Sequence, residues 1–470
     1  MKIERFEVPG LAQYSYAISS NGKAIVIDPI RDADCYVDYA RKSFLSITHV
    51  LETHIHADFA SGATALAAAT GAELWLSGHD TGEDYQYRFP HHAFRDGESL
   101  VVEKLKIVAL HTPGHTPEHL SFLLFDLERS TSLPVALFSG DFLFVGSFGR
   151  PDLLGEGAKE RLAAELYRSM KHRISALPDS LEVYPGHGAG SLCGAGMAEQ
   201  QQTTLGYERA ANPFFALPEG LFIERILASV PPFPGYYRRM KELNSAGLTI
   251  LKTLPGDRRV SLAELHSLWQ TRALTLLDLR RPESFGGAHI PGAINIGAGQ
   301  NLSLWAGWML PPDKPILLIS EDGDLEQVRR SLIRVGLDNL RGYLSGGIAP
   351  GINLWIDSGH PLAHIEQRSV REVEAAANNR FVLDVRSDAE WNSGHIAGAT
   401  HIMLGDLPGR LTDLPRDVAI TAVCGSGYRS SIAASLLAAH GFKGVLNMSG
   451  GMGAWRTQHL PEQVPPQVKI

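Results

Sequence analysis

The chain has 470 residues, 20% of them charged and 44% hydrophobic, and its formal net charge is −8. This length exceeds that of one ordinary domain, and the composition is that of a globular protein that can bury a core in each of several domains. Acidic and basic residues are mixed and no basic patch dominates, which excludes a typical nucleic-acid-binding protein.

The N-terminus and the cysteine content bear on the compartment. Charged residues interrupt the first 14 positions, which hold no long apolar stretch, so we expect neither a signal peptide nor a membrane-spanning segment. The three cysteines, Cys35, Cys193 and Cys424, do not form a disulfide framework. We therefore predict a cytoplasmic protein with reduced thiols and no membrane partner.

The first half of the chain alternates short β-rich segments with helical patterns, which is typical of α/β folds. A run of small residues at 60–69 predicts a helix, and buried strands are predicted at 24–28, 47–51, 105–110 and 135–138. A stretch rich in proline and aromatic residues at 231–237, followed by a short helix, indicates a domain boundary near residue 245.

The segment 53–59 reads T-H-x-H-x-D-F and carries the strongest chemical signal. Its two histidines, His54 and His56, stand two residues apart in an extended segment, so they project to the same side. Asp58 follows two residues later, and imidazole with carboxylate is a ligand set that suits zinc or iron. Phe59 cannot bind a metal, so the motif favours one ion over two.

Three further ligand candidates lie in glycine-containing segments at strand ends or in loops. They are His115 in T-P-G-H-T, Asp141 in S-G-D and His187 in Y-P-G-H-G. Strand ends and the loops that follow them are where α/β folds place their sites. The set as a whole therefore predicts a metal centre in the first domain.

This set of motifs resembles the metallo-β-lactamase superfamily over about residues 1–240, which implies an αββα sandwich. Binuclear hydrolases of that superfamily, such as glyoxalase II, use H-x-H-x-D-H, whereas this chain has Phe59 at the last position. It is similar instead to the persulfide dioxygenase branch. That resemblance implies one Fe(II) per chain and three ligands, His54, His115 and Asp141. It also implies that three further residues orient ligands and waters, namely His56, Asp58 and His187.

The same resemblance implies a substrate. Arg150, in the segment 148–152 that matches this branch, is expected to face a thiol persulfide of the glutathione or coenzyme A type. Cys193, six residues after His187, faces the substrate cavity, carries persulfide or is simply buried. The expected reaction uses O2 to convert the persulfide to sulfite and the thiol.

The second half of the chain contains an internal repeat. Asp278 precedes His289 by 11 residues in one copy, and Asp384 precedes His395 by the same spacing in the other. Both copies also close with Ser-Gly-Gly, at 345–347 and 449–451. The repeat predicts two copies of one α/β domain of about 105 residues each.

A cysteine loop distinguishes the second copy. Cys424 follows a predicted strand at 419–423 and the loop runs to Arg429, where a predicted helix at 430–440 begins. Inward backbone N–H groups and a helix N-terminus lower a thiol pKa and stabilise an anionic persulfide. The copy resembles a rhodanese domain, which implies that Cys424 and Arg429 are catalytic and that the loop between them cradles the persulfide, through Gly425, Ser426, Gly427 and Tyr428.

The first copy lacks this loop. Alignment of the copies places Ser320 where Cys424 stands, and acidic residues follow it, at Glu321, Asp322 and Asp324. Acidic side chains oppose the binding of an anion. We therefore expect the first copy to be a degenerate rhodanese domain with a structural or interfacial role.

The complete prediction is an α/β multidomain enzyme with a metallo-β-lactamase domain at 1–245, a degenerate rhodanese-like domain at 246–362 and a rhodanese domain at 363–470. Sulfite from the first domain and sulfane sulfur on Cys424 would give thiosulfate. We expect a homo-oligomer and no nucleic-acid partner. Two alternatives remain open: a glyoxalase II-like thiolester hydrolase fused to a sulfurtransferase, and a persulfide-sensing binding protein.

Overall fold

The computed structural model describes residues 1–321, 325–344, 351–376 and 380–464. The chain forms two compact units, one of Met1–Lys252 with Ile333–Gly336, and one of Thr253–Leu332 with Leu337–Ile470. No helix in the described part of the chain has the length and apolar character that a membrane crossing requires.

Strands of the first unit form two six-stranded sheets. The first runs β1-β2-β3-β4-β5-β6 in chain order, with β1 (Lys2–Val8), β2 (Gln13–Ser20), β3 (Lys23–Ile27), β4 (Ser46–Leu51), β5 (Glu73–Ser77) and β6 (His92–Phe94). The other strands are β7 (Ser99–Val102), β8 (Leu105–His111), β9 (Leu120–Asp126), β10 (Ala136–Gly140), β11 (Leu143–Phe144), β12 (Ser147–Phe148), β13 (Glu182–Pro185) and β14 (Thr203–Thr204). The second sheet has the order β14-β13-β10-β9-β8-β7, and β11 pairs with β12 as a hairpin.

The two sheets pack face to face, and β9 shows why its sequence is almost wholly apolar. Phe122 and Leu124 enter the core that both sheets share, whereas Leu123 and Phe125 enter a second core on the other face. Successive strand residues point to opposite faces, so a strand buried on both sides needs apolar residues throughout.

Helices cover the outer faces and complete four layers. On the first sheet lie α1 (Asp34–Lys42) and α2 (Ala63–Thr70), and on the second α3 (Lys159–Arg168), α4 (Leu205–Ala211) and α5 (Glu219–Ser229). In α1, Asp34 in the first turn and Arg41 and Lys42 in the last complement the helix dipole. Cys35 lies in the first turn of α1. The unit closes with α6 (Tyr236–Ala246).

The second unit contains two sheets whose strands are all parallel. The first repeat has α7 (Leu262–Thr271), β15 (Thr275–Asp278), α8 (Pro282–Gly287), β16 (Ile294–Asn295), α9 (Leu302–Met309), β17 (Ile316–Ile319), α10 (Leu325–Ile333), β18 (Leu340–Leu344) and α11 (Gly351–Asp357). Its sheet order is β16-β15-β17-β18.

The second repeat has β19 (Glu366–Arg368), α12 (Val370–Ala376), β20 (Phe381–Asp384), α13 (Asp388–Asn392), β21 (Thr400–His401), β22 (Ile420–Val423), α14 (Tyr428–Ala439), β23 (Leu446–Met448) and α15 (Gly451–Thr457). Its sheet order is β19-β23-β22-β20-β21. Strands alternate with helices, as the connection of parallel strands requires.

The two repeats share a buried framework. Arg280 pairs with Asp278 in the first repeat, and Arg386 pairs with Asp384 in the second, with closest N–O distances of 2.8 and 2.7 Å. Each arginine also donates to a backbone carbonyl just before the histidine of its own copy, that of Ala288 or Gly394. The spacing of 11 residues therefore reflects the same buried Asp–Arg arrangement in both repeats.

Candidate metal centre and cysteine loop

Strand ends bring the proposed metal ligands together in the first unit. His54, His56 and Asp58 lie on the loop after β4, and His115 lies between β8 and β9. Asp141 and His187 directly follow the neighbouring parallel strands β10 and β13, with His187 two residues beyond its strand. All six side chains are buried.

His54, His115 and Asp141 form one compact cluster. His115 Nε2 lies 3.4 Å and His54 Nε2 4.0 Å from Asp141 Oδ2, and these three atoms are buried without a hydrogen-bond partner. A buried polar atom without a partner costs free energy, so three that converge fit a bound cation. The ligand atoms all lie within 4.8 Å of one another, which fits a single ion.

Both imidazoles are held in the neutral form that binds a metal. Burial, followed by the charges of neighbouring histidines, holds the pKa of His54 and of His115 well below the ordinary value. His115 Nδ1 donates to the Arg150 carbonyl at 2.9 Å. The Thr53 hydroxyl donates to Asp28 and accepts from His54 Nδ1 at 3.0 Å. Both rings thereby present a free Nε2 lone pair to the centre.

A second group of possible ligands contains Asp58, His187 and Cys193. His187 donates from Nδ1 to Asp141 Oδ1 at 2.9 Å and from Nε2 to Asp58 Oδ2 at 2.8 Å. Burial lowers its pKa, but these two carboxylates outweigh burial and raise it well above the ordinary value. Burial first, then the charges of Asp58 and Asp141, raise the pKa of the Cys193 thiol well above its ordinary value. Within this group His187 donates to the carboxylates, whereas Asp58 Oδ1 is buried without a hydrogen-bond partner.

Phe59 and His56 border these two groups. The Phe59 ring is fully buried and its centroid lies 4.3 Å from that of His56. His56 Nε2 pairs with Asp28 Oδ1 at 3.1 Å, and its Nδ1 has no partner. An apolar ring therefore occupies the position next to Asp58 where the sequence motif would need an additional imidazole for a second ion.

Arg150 does not have the exposed position expected of a residue that faces substrate. Its side chain is 1% exposed and makes a two-pronged ion pair with Asp152, with N–O distances of 2.7 and 2.8 Å. Nη1 donates to the carbonyls of Leu192 and Pro232. These partners occupy the guanidinium, so Arg150 fixes the loop before Cys193 and, through its own carbonyl, the ring of His115.

One glycine shows how tightly this centre is packed. A Cβ atom on Gly149 would lie 1.9 Å from the carbonyl oxygen of Asp141, so only glycine allows the chain to pass there. Other residues near the centre were not found from the sequence. They are Asp28, Glu118, Lys241 and Asn244, each of which bonds to the loop of residues 53–61. Their partners are distant in sequence, and no local pattern marks them.

The cysteine loop lies in the second unit, between β22 and α14. Cys424 Sγ is buried and accepts hydrogen bonds from Gly427 N at 3.1 Å and the Ser430 hydroxyl at 3.2 Å. Gly427 has a φ of 103°, a conformation that favours glycine. Ser430 is a further loop contact that sequence reasoning missed. Two donors and the N-terminus of a 12-residue helix thus stabilise negative charge on Sγ.

Arg429 forms an ion pair within the second repeat. Its guanidinium pairs with both carboxylate oxygens of Glu390 at 2.7 Å. Burial raises the pKa of Glu390, but the ion pair with Arg429 outweighs burial and lowers it to about 2. The pair therefore remains ionised at neutral pH, and the charge of Arg429 is compensated.

The corresponding loop of the first repeat is described only in part. The Ser320 hydroxyl donates to the carbonyl of its neighbour Glu321 at 2.6 Å. Asp322, Asp324 and the closing segment 345–347 lie outside the described residues.

Two families match the chain. The metallo-beta-lactamase superfamily matches residues 8–187, and the rhodanese-like domain matches twice, at residues 261–350 and 369–458. A hydroxyacylglutathione hydrolase from Polaromonas sp. is 30% identical over 244 residues, which are 47% of this chain and 87% of that protein.

Solved structures add two similarities. A metallo-beta-lactamase from Staphylococcus aureus subsp. aureus COL is 36% identical with a TM-score of 0.65, and the match covers 73% of this chain and 98% of that one. ETHE1 from Myxococcus xanthus is 26% identical with a TM-score of 0.44, and the match covers 52% of this chain and 99% of that one.

Proposed function

Since the chain belongs to the metallo-beta-lactamase superfamily and continues into two rhodanese-like domains, we propose that it is a persulfide dioxygenase with sulfurtransferase activity. The observation that carries the proposal is the donor set His54, His115 and Asp141, beside which Phe59 stands in place of another imidazole. Two histidines and one carboxylate are the ligands typical of mononuclear Fe(II) oxygenases.

The proposed reaction oxidises the outer sulfur of a thiol persulfide of the glutathione or coenzyme A type. In balanced form, R–S–S⁻, O2 and H2O give R–SH and HSO3⁻, so the sulfur loses the four electrons that O2 gains. Iron bound by the three ligands would supply the redox chemistry and open positions for substrate and oxygen.

The protein supplies geometry and proton positions. Arg150 and Thr53 orient the two ligating imidazoles. His187, held between Asp58 and Asp141, carries a proton next to the centre that can neutralise the thiolate product. Cys193 lies in the same group and borders the site from the side of Asp58 and His187, where a sulfur substrate would be accommodated.

At the second centre, sulfane sulfur carried by Cys424 is transferred to a nucleophile. With sulfite as acceptor, the S–S bond of the Cys424 persulfide breaks, thiosulfate leaves, and the electron pair returns to Cys424 as thiolate. The Gly427 amide and the Ser430 hydroxyl stabilise that thiolate as the leaving group.

A second candidate is a thiolester hydrolase, and a specific observation favours it. The Polaromonas relative is named for hydrolysis of a hydroxyacylglutathione, and 87% of its length aligns with this chain. Such a reaction would use a metal-activated water instead of O2. Both candidates share a glutathione-type thiol, so the thiol alone does not separate them.

Metal analysis with two assays on one preparation separates the candidates. The protein is purified without oxygen, and its iron and zinc are measured together with O2 uptake on glutathione persulfide and hydrolysis of S-lactoylglutathione. We expect about one iron per chain, since His54, His115 and Asp141 fit a single ion, and O2 uptake without thiolester hydrolysis. Two zinc ions per chain in protein that hydrolyses the thiolester would overturn the proposal.

A further inference from the structure

Helix α6 (Tyr236–Ala246) makes a row of bonds to the loop that carries His54. Its side chains donate to four backbone carbonyls of that loop: Tyr236 to Asp58 at 3.1 Å, Lys241 to Ile55 at 3.1 Å, and Asn244 to His56 and Phe59, both at 2.8 Å. This helix begins 49 residues after His187 and lies beyond the matched segment 8–187.

The loop depends on these partners because it has no regular structure of its own. Residues 52–60 form neither helix nor strand, although all are buried. Buried carbonyls need hydrogen-bond partners, and a strand or helix would normally supply them. Asn244 also accepts from Ser61 N at 2.9 Å, so this one side chain both donates to and accepts from the backbone of the loop.

Lys241 is the most informative of the three residues. It is 1% exposed, and among the described residues no salt bridge includes its Nζ, which lies 5.1 Å from the centroid of the Tyr85 ring. A lysine is rarely buried unless it is paired, because removing the ammonium from water is costly. Its hydrogen bond instead goes to the Ile55 carbonyl. A buried ammonium that costs free energy and bonds to a loop backbone indicates that its role is to hold the loop in position.

Glu118 completes this arrangement from the other side. Its Oε1 accepts from Ile55 N at 2.9 Å, while Lys241 holds the Ile55 carbonyl. The two peptide groups that link His54 to His56 are thus each held by a buried charged side chain. Glu118 also lies three residues after His115, so it connects the two loops that carry histidine ligands.

We propose that Lys241 and Asn244 are positioning residues of the metal centre, which hold the backbone of residues 54–61 so that His54 meets His115 and Asp141. The inference rests on the metal centre of the proposed function, but it holds for either of the two candidate reactions. Helix α6 is on this view part of the centre although it provides no ligand.

The chain offers a matched control for Lys241. Lys171 Nζ donates to the Phe215 carbonyl at 2.8 Å, so Lys171→Met removes the same type of bond without touching residues 53–61. Lys241→Met keeps the length of the side chain and removes the donor, and Lys241→Arg restores a donor. Asn244→Asp keeps the shape and the acceptor for Ser61 but loses both donated bonds.

The experiment measures Co(II) binding to metal-free protein by its visible absorption spectrum, together with far-UV circular dichroism of each variant. We expect the Co(II) Kd of Lys241→Met and Asn244→Asp to rise about 10- to 100-fold with an altered spectrum. Lys241→Arg should recover most of the affinity, and Lys171→Met should match the wild type. If Lys241→Met does not fold, Asn244→Asp decides.

Wild-type affinity and spectrum in the folded variants would overturn the inference while leaving the metal centre intact. An equal loss in Lys171→Met would also overturn it, because the effect would then be one of general stability. Failure of the wild-type protein to bind Co(II) would instead contradict the metal centre itself, so the two failures are distinguishable.

Discussion

The metal cluster and the cysteine loop differ in whether the chain itself provides hydrogen-bond partners for their reactive atoms. At His54, His115 and Asp141, three buried atoms face one another without a partner from the chain. At Cys424, the sulfur accepts two hydrogen bonds from its own loop and helix. The first centre needs an ion to complete it, whereas the second is complete once the chain has folded. The two should therefore fail independently.

Cys424→Ser tests this independence with the largest expected effect. Serine cannot carry sulfane sulfur, and the structure brings no other cysteine to this loop among the described residues. We expect thiosulfate:cyanide sulfur transfer to fall at least about a thousandfold. O2 uptake on glutathione persulfide, measured on the same protein, should stay within about twofold of the wild type because the proposed metal ligands belong to the other unit.

Transfer at the wild-type rate in Cys424→Ser would break the comparison. It would mean that another thiol carries sulfur, and Cys193 is the one to examine because it lies beside Asp58 and His187. The double variant with Cys193→Ser would then identify the carrier.

His115→Ala is the complementary change and should have the next largest effect. It removes one of the three converging atoms and should lower O2 uptake by more than about a hundredfold, with loss of bound iron. Sulfur transfer should persist, since the cysteine loop lies in the second unit. Iron content and both activities are measured together. Unchanged O2 uptake would show that His115 is not a ligand.

The products of turnover test whether the two centres serve one pathway. With limiting persulfide, the intact protein should release thiosulfate, because the Cys424 persulfide can react with sulfite. Cys424→Ser should accumulate sulfite several-fold instead, with O2 consumption nearly unchanged. Both anions are measured over time and corrected for the spontaneous reaction of sulfite with persulfide. Equal ratios in the two proteins would show that the cysteine loop does not process this sulfite.

The sequence was most informative where chemistry and periodicity agree. The family match and the fold confirm a metallo-beta-lactamase domain followed by two rhodanese-like domains. The T-H-x-H-x-D-F motif predicted His54 as a member of the centre. The Asp-to-His spacing predicted the repeat, in which Asp278 and Asp384 each form the same kind of ion pair with an arginine. These features lie within a few residues of one another, so a local pattern can reveal them.

Long-range partners were beyond the reach of the sequence. Lys241 and Asn244 bond to residues more than 180 positions away, and no pattern joins them to the loop. Cys193 meets Asp58 only after the chain has folded. Arg150 is the converse case, because its motif was visible whereas its partners, Asp152 and the Leu192 and Pro232 carbonyls, were not. Its contact with substrate stays a prediction.

Ser320→Cys in the Cys424→Ser background should have the smallest effect, a failure to regain sulfur transfer. The first repeat keeps the Asp278–Arg280 framework, so the question is whether a thiol on that framework is sufficient. By alignment, Glu326 occupies the position of Ser430, whose hydroxyl donates a hydrogen bond to Cys424 Sγ, and its carboxylate accepts from Arg330 instead. The thiol would therefore lack the hydroxyl donor that stabilises a thiolate at Cys424, which raises its pKa. Iodoacetamide labelling against pH, followed by mass spectrometry of the peptide that contains residue 320, measures this directly. Recovery of transfer, or labelling over the same pH range as Cys424 in the wild type, would show that the cysteine alone separates the active repeat from the inactive one.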